Sequence, residues 1–140
     1  MSDIINIANA IYGEAANQPA DIMKMVGSTI VNRALSGRHQ EFGASFPEII
    51  QKGYYAASNP NVPYKQALAQ KFPDSKSENQ YKQALQIASG LVKGTIKPDE
   101  GLFYFTDKEI NKLKKNPKAF NFKKVKEVGK SGGYRVFKYY

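Results

Sequence analysis

The chain has 140 residues, enough for one domain with a buried core, and its 41% hydrophobic and 24% charged shares are those of an ordinary globular protein. It has no cysteine, which excludes disulfides and thiolate metal sites as the source of its stability. The formal net charge of +9 is segregated: residues 1–62 hold four Lys/Arg against five Asp/Glu, residues 63–140 seventeen against seven, so the second half anticipates a polyanionic partner.

The opening Met1-Ser2-Asp3-Ile4-Ile5-Asn6 shows neither a basic n-region nor an apolar h-region, so no signal peptide is expected. No apolar run reaches the roughly 18–20 residues of a membrane-spanning helix. Asp3 to Ala16 is predicted as a helix, with Ile4, Ile7, Ala8, Ile11 and Ala15 on one apolar face. Asn17-Gln18-Pro19 interrupts it, because Pro disfavours helix in the residue before it. A second helix runs from Ala20 or Asp21 to about Leu35. Its broad apolar side of Ile22, Met23, Met25, Val26, Thr29 and Ile30 suggests a central position.

Ser36 to Ala44 reads as a polar loop. Ser45-Phe46-Pro47-Glu48 has the S-x-x-E pattern of a capping box and opens a short helix that stops by Gly53. Tyr54 to Pro63 is turn-rich and aromatic, and a helix from about Tyr64 to Phe72 follows it. Asp74 or Ser77 caps a longer helix through Ala84, Leu85, Ile87, Ala88, Leu91 and Val92, with Gly94 beyond its end. Leu102-Phe103-Tyr104-Phe105 predicts a strand, and Asp107 starts a short basic helix to about Lys115. Lys123 to Val128, a turn at Ser131-Gly132-Gly133 and Tyr134 to Tyr140 predict a closing hairpin. The pentapeptide Tyr-Lys-Gln-Ala-Leu occurs at 64–68 and again at 81–85, without further periodicity. The expected class is α+β, a mainly helical body with a small antiparallel sheet near the C-terminus, in a single domain over residues 1–140.

Glu14 is the residue with the clearest chemical promise. At about 100° per residue it lies close to Ile7 in angle, at the margin of the apolar face. It also occupies the last helical turn, where the dipole disfavours a carboxylate. Partial shielding beside a negative helix end should raise its pKa, as a general acid near neutral pH requires. The plainer alternative is a partly solvated glutamate at a helix end.

The neighbouring residues sharpen that choice. Ile11-Tyr12-Gly13-Glu14-Ala15, followed by Met25-Val26-Gly27-Ser28-Thr29-Ile30-Val31-Asn32-Arg33, resembles the opening of the SleB/CwlJ-type cell wall hydrolases. There a Tyr-(Ala/Gly)-Glu-Ala helix precedes a helix ending in Asn-Arg. Phe46-Pro47-Glu48-Ile49-Ile50 is similar to the family's short Phe-Pro helix, Gly101 to Phe105 to its aromatic strand, and Val125 to Phe137 to its closing hairpin. The resemblance implies a lysozyme-like fold that cuts the bond between N-acetylmuramic acid and N-acetylglucosamine, with Glu14 as catalytic acid. It further implies a lytic transglycosylase: one carboxyl protonates the glycosidic oxygen and then takes the proton of the muramoyl 6-hydroxyl, leaving a 1,6-anhydro end.

The pattern departs where the family has Ala-Arg-Gly-Glu after the acid. Here Ala15-Ala16-Asn17-Gln18 follows, so no role for a second acid carries over. Asp21, Glu41 and Glu48 are the nearby carboxylates in sequence, and none matches a motif. The family's Gln-Phe-Ser loop appears as Tyr54-Tyr55-Ala56, from which the resemblance implies an aromatic cleft wall at Tyr54 and Tyr55. Asn32 is a substrate-binding candidate, although tying the helix end into the core is the reading favoured for Asn32 and Arg33. Tyr104 and Thr106, on or beside the aromatic strand, are candidates for contact with substrate, with core packing as the alternative for Tyr104.

His39 stands alone in its loop, and no His/Asp/Glu cluster has metal-ligand spacing, so neither metal nor cofactor is inferred. The tract Lys108 to Lys130 carries nine lysines, read either as a solvated face or as a patch that holds anionic wall polymers. The expected partners are peptidoglycan glycan strands and those polymers, met by a monomer. The expected route is synthesis in the cytoplasm followed by phage-type release through a holin or delivery in a virion. Two rivals remain. A basic nucleic-acid-binding protein would show the same charge and interleaved aromatics, but without a helix-turn-helix, RNP or zinc-finger pattern. A wall-binding relative without activity would explain the missing Arg-Gly-Glu, against the retention of Glu14.

Overall fold

Ser2 starts the first helix: its hydroxyl accepts the Ile5 N–H at 3.2 Å, and α1 (Asp3–Ala15) follows. The computed structural model describes residues 2–140. Ile7, Ala8, Ala10 and Ile11 of α1 are fully buried, because α2 (Ala20–Leu35), α4 (Phe46–Gly53), α5 (Tyr55–Ser58), α6 (Val62–Ala69) and α7 (Ser75–Lys93) all pack on this one helix. The broad face of α2 is buried as expected, yet the hub of the helical body is α1. Its small residues Ala8, Ala10, Gly13 and Ala15 let neighbours approach from every side.

The caps set the boundaries. Asp74 accepts the Ser77 N–H at 2.8 Å to start α7, and Gly94 ends it at φ 81°. Ser45 accepts the Glu48 N–H at 3.3 Å and opens α4. α6 begins earlier than its apolar pattern suggests, because Asn61 accepts the Tyr64 N–H at 2.9 Å; it ends at Ala69, where Gln70 turns left-handed at φ 53°. Two stretches expected to be loop contain four-residue helices, α3 (His39–Phe42) and α5. Phe42 explains the first, since it is pulled to 5% exposure against Phe103 and Arg33.

The C-terminal third forms a three-stranded antiparallel sheet of β1 (Phe103–Thr106), β2 (Val125–Ser131) and β3 (Tyr134–Tyr139), in the order β1-β3-β2. β1 runs into α8 (Asp107–Lys114), and a 3₁₀ turn at Phe122–Lys124 leads into β2. The register pairs Tyr104 with Val136 and Thr106 with Tyr134, so these four share one face, which carries Val136 into the main core. Phe103, Phe105 and Phe137 share the other face and close a second core with Phe120, Phe122, Ile110 and Val125. The fold is thus α+β and mainly helical, with the small sheet near the C-terminus. No helix among the described residues is long and apolar enough to cross a membrane.

Candidate active site

Glu14 lies at the C-terminal end of α1, where the helical body meets the sheet face bearing Tyr104, Thr106 and Tyr134. Its position depends on Gly13. A Cβ at Gly13 would stand 3.0 Å from both Ala56 Cβ and Tyr64 Cδ1, so the missing side chain is what allows α5 and α6 to lie against α1. Asn61 fastens this contact, donating from Nδ2 to the Gly13 carbonyl at 2.8 Å while its Oδ1 caps α6. The start of α5 therefore faces Glu14, and the backbone N–H groups of Ala56 and Tyr55 donate toward its carboxylate.

These surroundings pull the Glu14 proton in both directions. Burial is the largest influence and raises its pKa above the ordinary 4.5; the charge of Glu109 adds to the rise. The Ala56 and Tyr55 amides and the Arg33 guanidinium oppose it, and burial wins. The direction of the shift is the one expected from the sequence, and of the two causes expected there it is the shielding by burial that leads.

Around Glu14 the ring of Tyr104 lies 6.5 Å from that of Tyr54 and 5.7 Å from that of Tyr134. Burial pushes the Tyr104 hydroxyl well above its usual 10.0, with the nearby Glu14 charge adding to the effect. Tyr134 is raised for the same leading reason and feels both Glu109 and Glu14. Beneath them is Arg33, 8% exposed, its Nε donating to the Leu102 carbonyl at 2.9 Å. Its guanidinium sits 4.9 Å from the ring centres of Phe42 and Tyr54 and 5.3 Å from that of Phe103. Gly53 leaves room for it, since a Cβ there would collide with Nη1. Arg33 is thus a buried cation held by aromatic faces, and it serves the core.

The other expected site residues divide. Tyr104 is brought by the sheet to where it feels the Glu14 charge, whereas Thr106 pairs with Tyr134 on the same sheet face and caps α8. Tyr55 meets Glu14 through its backbone, while its ring projects outward at 72% exposure with its hydroxyl accepting from Asn59 Nδ2 at 2.7 Å. Tyr54 does not form an open wall. It is 1% exposed, and its hydroxyl donates to Thr29 Oγ1 at 2.7 Å, the Thr29 proton being given to the Val26 carbonyl. Asn32 points elsewhere: Nδ2 donates to the carbonyls of Asp99 and Gly101, both at 2.8 Å, and fixes the loop before β1. That side of α2 borders a groove of about 770 Å³ whose lining includes Asn32 but not Glu14.

Glu109 is the residue that sequence reasoning missed. None of the three carboxylates named from proximity in sequence is among the groups acting on Glu14: Asp21 accepts from Ser131 Oγ, Glu41 from the Tyr139 hydroxyl, and Glu48 lies in the first turn of α4. Glu109 is in the other half of the chain, at the start of α8. A signal for it existed, because Thr106-Asp107-Lys108-Glu109 is itself a T-x-x-E capping box. Here both halves of the box form, in contrast to Ser45 and Glu48.

Among the described residues no three His, Cys, Asp or Glu side chains group as metal ligands. Comparison of the chain with protein-family models, with curated proteins and with solved structures yields no match.

Proposed function

We propose that this chain is a peptidoglycan-cleaving enzyme of lysozyme-like kind, a lytic transglycosylase acting between N-acetylmuramic acid and N-acetylglucosamine. The observation that carries the reading is Glu14, a half-buried carboxyl with a raised pKa within the Tyr-Gly-Glu-Ala motif, at the junction of helical body and sheet. A protonated Glu14 gives its proton to the glycosidic oxygen as the bond to C1 breaks. The muramoyl 6-hydroxyl then attacks C1 and returns its proton to Glu14, so the acid is regenerated and a 1,6-anhydro end is formed. Tyr104 and Tyr134 keep water's dielectric away from the acid, and the exposed ring of Tyr55 offers a sugar-stacking surface at the rim.

The basic second half supports retention on anionic wall polymers, and delivery by phage-type release belongs to the same reading. Digestion of purified peptidoglycan, with mass spectrometry of the released muropeptides, tests it. Anhydromuramoyl ends from the wild type and none from Glu14→Gln are expected. Release of reducing muramoyl ends alone would make the protein a hydrolase, and an active Glu14→Gln would remove Glu14 from the chemistry. The nucleic-acid reading draws on one observation, nine exposed lysines over residues 108–130 without an ion pair among the described residues. It predicts duplex or single-strand binding that weakens steeply with salt, and no wall cleavage.

A further inference from the structure

Tyr139, near the end of β3, stands where two grooves meet. One, of about 390 Å³, runs from Phe103 past Lys118 and Lys124; the other, of about 550 Å³, is bounded by Arg38, Lys123 and Tyr140. Glu41, Lys124 and Tyr139 line both, so the two adjoin, and Glu14 lines neither. Arg38, Lys118, Lys123 and Lys124 thus stand against a single acid, Glu41. That acid is already engaged: it accepts the Tyr139 hydroxyl, and its other oxygen is 3.9 Å from Arg38 Nη1. The three lysines make no ion pair among the described residues. In the larger groove beside Asn32, by contrast, Lys24 and Lys138 are held by Asp99 and Glu100.

The cations ride on fixed supports. The Arg38 guanidinium sits 4.0 Å from the centre of the Tyr139 ring. Phe120 and Phe122, with ring centres 4.7 Å apart, are seated in the second core and fasten the segment that carries the three lysines. Within it Asn121 accepts the Lys123 N–H at 3.0 Å, and the Tyr140 N–H donates to the Lys124 carbonyl at 3.2 Å, which joins the segment to the end of β3. Such a surface suits a chain of repeated negative charges. The rings decide which chain. Arg38 covers Tyr139, Phe103 meets Tyr139 edge-on at 5.4 Å, and Phe103 and Phe120 pack on each other at 4.9 Å. Of the lining rings Tyr140 alone is widely exposed, so the grooves offer charge without the row of free rings on which bases stack. We propose that the paired grooves around Tyr139 bind a wall polymer of polyols linked by phosphodiesters. Arg38 and Lys123 take a phosphate in one groove, Lys118 takes one in the other, and Lys124 lies between them; Arg38 offers paired N–H donors. The choice of a wall polymer rests on the peptidoglycan-directed reading, whereas the phosphate chemistry rests on the grooves themselves.

The probe is purified poly(glycerol phosphate), titrated into the full chain and followed by calorimetry and by NMR of the labelled protein. Shifts are expected at Arg38, Lys118, Lys123, Lys124 and Tyr139 and not at Glu14, with affinity falling steeply as salt rises. Lys118→Gln combined with Lys124→Gln should weaken binding about tenfold. Lys108→Gln combined with Lys130→Gln removes the same charge from the same tract but outside both grooves, and should weaken it less than about twofold. Arg38→Lys keeps the charge and loses the paired donors, and should cost about threefold. Equal losses in the two lysine pairs, or shifts spread evenly over the lysines from 108 to 130, would overturn the site and leave only diffuse charge. Tighter binding of single-stranded DNA with the same number of phosphates would overturn it in favour of nucleic acid. The map on the wild type stands even if a variant folds poorly. A wild type that binds the polymer at these residues yet cleaves no glycan would remove the enzymatic reading and uphold this site. One that cleaves glycan yet shows no shifts with the polymer would overturn the site alone.

Discussion

A carboxyl half-buried beside Tyr104 and Tyr134 holds its proton more tightly in the folded chain than in the unfolded one, so ionisation of Glu14 is linked to stability. Below its unfolded pKa, near the ordinary 4.5, both states are protonated and nothing is lost. As the pH rises above that value the unfolded chain ionises freely while the folded one resists, and stability falls until the folded group has titrated. Glu14→Gln should therefore melt at a higher temperature than the wild type at pH 7, with the gain gone by about pH 4, in calorimetry at both pH values. The same variant should lose about 10²–10⁴-fold in cleavage rate. Glu14 was legible in the sequence because motif and apolar spacing both fall on it. Glu109 was not, since its approach depends on the register that sets Thr106 opposite Tyr134. Nor was the burial of Tyr54, which depends on a hydrogen bond to Thr29 on a different helix.

At the scale of elements, the acid is held in place by a junction of three helices. α1 ends against α5 and α6 through Gly13, and Asn61 bridges the Gly13 carbonyl to the start of α6. Asn61→Ala removes an N-cap and leaves that carbonyl without its donor, so it should cost about 1–2 kcal/mol in chemical denaturation. Activity should fall further than stability, because the Ala56 and Tyr55 amides would no longer be aligned on Glu14. A variant destabilised to that degree yet fully active would show that the junction matters only to the fold. The long helices were legible from caps and periodicity: Asp74 and Gly94 bound α7 as expected. The four-residue helices α3 and α5 were not. Each spans barely more than one 3.6-residue turn and leaves no repeating pattern to read. The closing hairpin was visible through its glycine turn, whereas the pairing of β1 with β3 is a long-range choice that local spacing does not encode.

Over the whole molecule, the excess positive charge lies in the second half of the sequence, whereas Glu14 lies in the first. Lys108, Lys112, Lys114, Lys115, Lys118, Lys123, Lys124, Lys126 and Lys130 are all exposed and make no ion pair among the described residues, whereas Arg135 and Lys138 beside them are neutralised by acids. Replacing Lys115, Lys118 and Lys124 by Gln should weaken retention on whole walls and leave cleavage of short uncharged glycans within about twofold, since these exposed lysines are not among the groups acting on Glu14. Salt should mimic the substitution, as the Debye length falls from about 10 Å at 0.1 M to about 3 Å at 1 M. A pull-down series on walls reads both effects, and retention indifferent to both would reduce the tract to a solvated face.

The strand order adds a constraint of timing. β3 lies between β1 and β2, although it is last of the three in sequence. During synthesis, β1 and β2 emerge with no neighbour to bond, and the sheet assembles only when residues 134–139 leave the ribosome. Tyr134 opens that third strand, so the wall beside Glu14 is completed only once β3 has been made. A chain stopped at Gly133 should keep its helical circular dichroism signal and lose the sheet and every trace of glycan cleavage. Activity surviving in that shortened chain would mean that the sheet is no part of the site.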